Sequence, residues 1–263
     1  MLAKADTVLE AGLLRLRELP RVDALLSFRA VEVRRLLTLY IEEIERFNPI
    51  YGLVGVRNRE ELVIKHILDA LSPLGILQGF FDRLGEGLGP QAAFHVADVG
   101  SGAGLQGKPA TFHVADVGSG AGLPGIPLAI ALPEVTFTLI ERMRRRANFL
   151  RNALAVLGLP NVTVEEAEME NTRGKRFDLV VFRAFSPLEP SVIASLFRLL
   201  TPRGIVAAYK GRRVAVEEEL AKIVGCGEIL PCPVPFLDEE RHLALLWPEG
   251  SPNFMERLCL LPE

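Results

Sequence analysis

Cysteine is scarce: the 263 residues hold three, Cys226, Cys232 and Cys259, all late in the chain and none in a CxxC pair. An odd, unpaired count excludes a disulfide scaffold and a zinc knuckle. There are four histidines and no HExxH, so a metal site would have to rest on carboxylates. No apolar run reaches the roughly 18 residues of a membrane span. The first twenty residues set Asp6, Glu10 and Glu18 among leucines, unlike the basic start and uncharged stretch of a signal peptide. A cytoplasmic location without a membrane partner is expected. An excess of either charge is also missing: 30 basic against 33 acidic residues give -3, which excludes a basic nucleic-acid coat but not a local RNA-binding patch. Lysine is rare, six against 24 arginines, and arginine suits phosphate clamps and ion pairs.

What is present is an ordinary globular composition, 49% hydrophobic and 24% charged, which excludes wholesale disorder. Residues 1–90 read as a helical region packed on the core. Val33, Leu36, Leu37, Tyr40, Ile41, Ile44 and Phe47 form one stripe at helical spacing, and Asn48-Pro49 should end that helix. A second helix is expected over 60–71, its end loosened by Pro73 and Gly75. The breaker cluster at 85–90 marks the seam to a core domain over 91–263. There, strands are expected at 114–117, 135–140, 162–164, 177–182 and 204–209, alternating with helices at 126–132, 142–157, 190–200 and 214–224. Two late strands follow near 228–235 and 242–247. The order predicts an α/β doubly wound sheet with helices on both faces.

One repeat stands out. Residues 94–105 recur unchanged as 112–123, an offset of 18, which reads as a tandem duplication rather than a solenoid unit. The second copy leads into Pro-Gly-Ile-Pro-Leu, with Pro127 suited to a first helical turn. The first leads into Gln106–Ala110, too short for a crossover helix. The second copy is therefore assigned to ligand binding, and the first to a surface loop or an added edge segment.

That copy reads Val114-Ala-Asp-Val-Gly-Ser-Gly-Ala-Gly-Leu-Pro-Gly125. Gly118, Gly120 and Gly122 fall where a strand turns into a helix, and glycine there allows positive φ and close approach to a ligand. Glu141 ends the next strand 19 residues after Gly122, placed to accept ribose hydroxyls. The spacing leaves dinucleotide binding open, because Gly120, Gly122 and Gly125 also fit GxGxxG. The acid before the loop, Asp116, favours S-adenosyl-L-methionine, since it can reach that cofactor's ammonium group directly or through water.

The chain also resembles a family, the bacterial 16S rRNA guanine-N7 methyltransferases called RsmG or GidB. The resemblance rests on Asp116-Val-Gly-Ser-Gly-Ala-Gly-Leu-Pro-Gly-Ile-Pro127, on Lys65-His-Ile-Leu-Asp69, and on Thr138-Leu-Ile-Glu141 followed by Phe149-Leu150. It extends to Phe182-Arg-Ala-Phe185, Tyr209-Lys-Gly211 and Glu240-Arg-His-Leu243, and runs from about residue 30 to 247. The family's pattern is not kept at Gly52-Leu53-Val54, at Phe182, or at Glu166–Met169.

The resemblance implies a Rossmann-like sheet of the class I S-adenosylmethionine-dependent methyltransferases with an N-terminal helical extension. It implies methyl transfer to N7 of a guanine, nucleotide 527 of 16S rRNA, on naked RNA or the small ribosomal subunit, by a monomer. Cofactor contacts are implied for Asp116, Gly118, Gly120, Gly122, Leu123, Glu141, Glu168, Met169 and Arg183. His66, Asp69 and Arg183 are candidates for positioning substrate, Arg183 being otherwise a salt-bridge partner of Asp116 or Asp178. Two basic clusters, Arg142, Arg144, Arg145 and Arg146 (with Arg151) and Lys210, Arg212 and Arg213, could meet RNA phosphates. Guanine N7 already carries an in-plane lone pair, so no catalytic base is needed and the protein's task is alignment. The readings from other classes are an NAD(P)-dependent oxidoreductase and a non-catalytic ribosome-associated binding protein.

Overall fold

The computed structural model describes residues 2–86, 112–172, 176–183, 188–223 and 226–251. The first copy of the repeat, most of the 85–90 breaker cluster, the seam placed at 90 and Cys259 lie outside them. The N-terminal region is helical: α1 (Leu2–Arg17), α2 (Val22–Ser27), α3 (Ala30–Tyr51) and α4 (Arg59–Leu62). A π-helical stretch, Val63–Leu68, then leads into α5 (Asp69–Leu71), and α6 (Leu74–Glu86) follows. The stripe on α3 is the buried one, with Val33, Leu36, Leu37, Tyr40, Ile41 and Ile44 all sealed from solvent.

One expectation about breakers is corrected. Asn48-Pro49 does not stop α3, which continues to Tyr51 and ends at Gly52, whose φ is 59° and whose N–H donates to Asn48 O. Pro49 sits in the final turn, where few downstream bonds depend on its missing donor. Asn48 instead ties down the exit, its side chain bonding both the N–H and C=O of Val54 at 2.9 and 3.0 Å. The second helix does end where expected, at Leu71, with a turn at Ser72-Pro73, and α6 starts directly after it at Leu74. A Cβ on Gly75 would lie 2.2 Å from Pro20 O, so this glycine permits α6 to pack closely against the turn between α1 and α2.

The core follows the predicted alternation: β1 (His113–Val117), α7 (Gly125–Ala131), β2 (Thr136–Ile140), α8 (Arg144–Leu157) and β3 (Val162–Glu165). A 3-10 turn at Met169–Asn171 precedes β4 (Phe177–Arg183), α9 (Pro190–Phe197) and β5 (Leu200–Lys210), which is longer than the sequence suggests. Then come α10 (Arg213–Leu220), β6 (Cys226–Pro231) and β7 (His242–Trp247). The strand order is β3-β2-β1-β4-β5-β7-β6. β1 to β5 are parallel and β7 runs antiparallel between β5 and β6. This is the Rossmann-like doubly wound sheet expected above, with its helical N-terminal region. Chain order reverses between β1 and β4, where such sheets open a crevice at the strands' carboxyl ends.

Strand parity decides what faces that crevice. Val114, Leu179, Val181, Ile205, Ala207, Leu243 and Leu245 belong to the core shared with the N-terminal helices, α7 and α8. Ala115, Val117, Val180, Phe182, Val206 and Ala208 belong to the core on the other face. Side chains alternate along a strand, so Asp116, Arg183 and Tyr209 all point to the face that the N-terminal helices cover. Fully buried Tyr40 of α3 donates its hydroxyl to Ala121 O at 2.6 Å, joining the helical region to the loop after β1. Replacing Tyr40 by Phe leaves that carbonyl without its donor. The expected loss is about 1–3 kcal/mol, read as a lower urea midpoint at unchanged m-value.

Candidate functional site

The turn out of β1 is built from its backbone. Gly118, Gly120 and Gly122 have φ of 69°, 58° and 91°, a region that side chains resist. Gly118 and Ser119 donate their N–H groups to Ile140 O at 2.9 and 3.2 Å, and Ser119 Oγ donates to Asp116 O at 2.7 Å. Gly125 serves by close approach rather than by φ. A Cβ on it would lie 2.7 Å from Asp116 Oδ2 and 2.5 Å from Leu139 Cδ2. The bare backbone instead donates Gly125 N–H to Asp116 Oδ2 at 2.9 Å.

Asp116 is fully buried, and among the described residues its Oδ1 has no hydrogen-bond partner. Burial pushes its pKa up to about 7, against the opposing pull of the Gly125 N–H and the Arg183 charge. A carboxylate in this state has an acceptor to offer a cation or donor. Glu141, directly after β2, is also buried. Its Oε2 accepts from Gly120 N at 2.9 Å and its Oε1 from Met143 N at 2.8 Å. The side chain therefore links the glycine turn to the entry of α8, and each oxygen keeps a lone pair for a further donor.

Gly118, Glu141, Glu168 and Met169 line one cavity of about 600 Å3, with Arg142, Met143 and Arg146 along its side. Of the other residues expected at a cofactor, Asp116, Gly122 and Leu123 are buried. Neither these three nor Gly120 lines this cavity. Arg183 lines a second cavity, of about 440 Å3, with Lys65, His66, Asp69, Tyr209 and Arg241 among its walls. The sequence reading thus divides between two spaces at the carboxyl edge of the sheet.

The second cavity is organised by Arg183. Its guanidinium donates to Asp69 Oδ2 at 2.8 Å and Lys65 O at 3.0 Å, and lies 2.7 Å from His66 Nδ1. The partner is therefore Asp69, not Asp116 or Asp178; Asp178 instead accepts from His113 N and Thr201 Oγ1. Arg241, which the sequence reading did not single out as a site residue, approaches Asp69 Oδ1 at 3.2 Å. Tyr209, likewise missed, donates to Ala70 O at 2.9 Å. An arginine only donates, so His66 Nδ1 accepts and the ring proton sits on Nε2. Burial, with the Arg183 charge behind it, holds the His66 pKa down to about 3; the ring is neutral at physiological pH.

The basic clusters separate on inspection. Arg145 donates to Ile50 O at 2.9 Å and lies over the Tyr51 ring, fastening the end of α3 to α8. Arg142 and Arg144 are exposed and Arg146 is half-buried. In the other cluster, Lys210 pairs with Glu219 at 2.7 Å and Arg213 with Glu217 at 2.8 Å, while Arg212 is exposed at the start of α10. Among the described residues no group of His, Cys, Asp and Glu could hold a metal, and no helix is long and apolar enough to cross a membrane. Because Asp69 compensates two largely buried guanidiniums, Asp69→Ala should lower stability by about 3–5 kcal/mol, measured by urea unfolding followed by circular dichroism.

Comparison with known proteins places this geometry in a family. The model of the family described as rRNA small subunit methyltransferase G matches residues 34–112 and 106–243. The two pieces overlap, and each contains one copy of the repeat, as a tandem insertion of one extra copy dictates. A ribosomal RNA small subunit methyltransferase G from Treponema pallidum (strain Nichols) is 37% identical over 213 residues, covering 80% of this chain and 83% of the relative. Its counterpart from Treponema denticola is 36% identical over 232 residues, covering 82% and 86%. Among solved structures, the ribosomal protein L11 methylase from Lactobacillus delbrueckii subsp. bulgaricus is similar, with a TM-score of 0.41 and 18% identity over 52% of this chain and 70% of that one. From the two family matches and the relatives' coverage, the chain belongs to the rRNA small subunit methyltransferase G family.

Proposed function

We propose that this protein transfers the methyl group of S-adenosyl-L-methionine to N7 of a guanine in the 16S rRNA of the small ribosomal subunit, at nucleotide 527. The observation that carries the reading is the pair of buried carboxylates around the glycine turn: Asp116, whose Oδ1 has no partner among the described residues, and Glu141 lining the larger cavity. These residues fit the cofactor. Glu141 has acceptor capacity for ribose hydroxyls, and Glu168 and Met169 form a neighbouring part of the same wall. Asp116 offers its free oxygen to an ammonium group, directly or through water. When bound, the cofactor supplies a methyl group activated by a sulfonium.

What remains for the protein is alignment, since N7 attacks with its own lone pair. His66 suits that division of labour: at a pKa of about 3, with Nδ1 already held by Arg183, it is no general base. RNA would be met by Arg142, Arg144 and Arg146 beside the larger cavity and by Arg212 beyond β5. Three arginines in the first turn of α8, with no acid there, run against the helix dipole, an arrangement that a phosphate partner would relieve.

The test is transfer of tritiated methyl from the cofactor to 16S rRNA presented naked, in 30S subunits and in 70S ribosomes, with the modified base mapped. Label on a guanine N7 supports the reading. Cofactor binding without transfer to any of the three leaves a non-catalytic binding protein, and binding of NADH instead leaves an oxidoreductase.

A second prediction concerns protons. In the free protein Asp116 titrates at about 7, and a cationic partner lowers that value. Cofactor binding should therefore release a proton from Asp116 below about pH 7, and affinity should rise as pH increases towards 7. Calorimetry in buffers of different ionisation enthalpy measures the release, and Asp116→Asn should abolish this component.

A further inference from the structure

His66 carries more than the positioning role its place beside Arg183 suggests. Its ring lines the 440 Å3 cavity. Its Nδ1 is 2.7 Å from the Arg183 guanidinium, which has no acceptor and does not lose its proton. Nδ1 can therefore only accept, and Nε2 must carry the hydrogen. Among the described residues Nε2 has no hydrogen-bond partner. The cavity wall thus holds a neutral N–H donor whose tautomer is locked from behind. The lock is anchored in turn, because Arg183 is held by Asp69 and by Lys65 O.

We infer that His66 Nε2–H reads O6 of the target guanine and so makes His66 a specificity-determining residue of the methyl transfer. The inference rests on the guanine-N7 reading above and deepens it. On the edge of a purine that exposes N7, guanine presents O6 as an acceptor, whereas adenine presents an N6 amino donor. N7 is common to both bases, so the group beside it is what can distinguish them. A donor that cannot change tautomer bonds the first and meets the second donor to donor. Neutrality matters as well. N7 attacks the methyl carbon, the carbon–sulfur bond breaks with its electron pair going to sulfur, and the purine becomes cationic. An uncharged donor holds O6 without repelling that product, as a protonated imidazole would. Burial and the adjacent guanidinium keep this ring uncharged.

The experiment uses 16S rRNA with either guanine or 2-aminopurine at the target position, the latter lacking O6 but keeping N7. Methyl transfer is measured as kcat/KM for the full-length wild-type protein and for two non-donating variants, His66→Phe and His66→Leu, each first shown to bind the cofactor as wild type does. Wild type should prefer guanine over 2-aminopurine by roughly 10- to 100-fold, the worth of one buried hydrogen bond with its unpaired partner. In a variant that binds cofactor the preference should collapse to about one, because guanine transfer falls while 2-aminopurine transfer does not fall further. A merely structural role predicts equal losses on both RNAs, leaving the preference intact. That result, or a wild type indifferent to O6, overturns the inference. A wild type that places no methyl on N7 of the guanine RNA removes the guanine-N7 reading itself and this inference with it.

Discussion

The carboxylate of Asp69 is the contact on which the site depends. It comes from the N-terminal helices, yet it is bound by Arg183 from the end of β4 and by Arg241 from the start of β7. Without it, two positive groups would face each other at the carboxyl edge of the sheet with their hydration largely removed. With it, the helical layer is fixed over the crevice and His66 is brought against Arg183. Tyr40 makes the corresponding contact at the glycine turn. The two attachments fall on either side of the β1–β4 reversal, so the N-terminal region forms part of the site.

The two cavities divide the chemistry. The larger one, at the ends of β1, β2 and β3, sets the Gly118 backbone beside the buried carboxylate of Glu141, with buried Asp116 behind the same turn. The other, towards β5 and β7, is richer in cations: Lys65, Arg183, Lys210 and Arg241 stand against Asp69. Several of these charges are already paired within the protein. Pairing of this kind lets cations stand where much of their hydration is removed, because unpaired buried cations would be costly.

Much of this was legible in the chain. The apolar strands and their order followed from runs such as Leu179–Phe182, and Asp116 and Glu141 were marked by their offsets from the glycines. Parity within β4 and β5, once the strands are placed, puts Arg183 and Tyr209 on one face, a step the sequence alone permits. Arg241 was harder. It becomes a neighbour of Arg183 only because β7 is antiparallel and starts beside the end of β5, pairing His242 with Lys210. Arg145 belonged by composition to a basic cluster, but its use in holding Ile50 depends on tertiary contact. Pro49 misled for a related reason: a breaker in the last turn of a helix has little left to break.

The π-helical stretch at Val63–Leu68 sets a condition on what sequence changes this region can absorb. A wide turn of this kind amounts to one residue more than an α-helix of the same span would hold. Deleting one residue from the stretch would let it relax into regular helix with the chain beyond kept near its present register, whereas adding one would turn everything after it by about 100°. An insertion between His66 and Asp69 would swing Asp69 away from Arg183 and leave His66 behind. This segment therefore absorbs the loss of a residue far better than the gain of one.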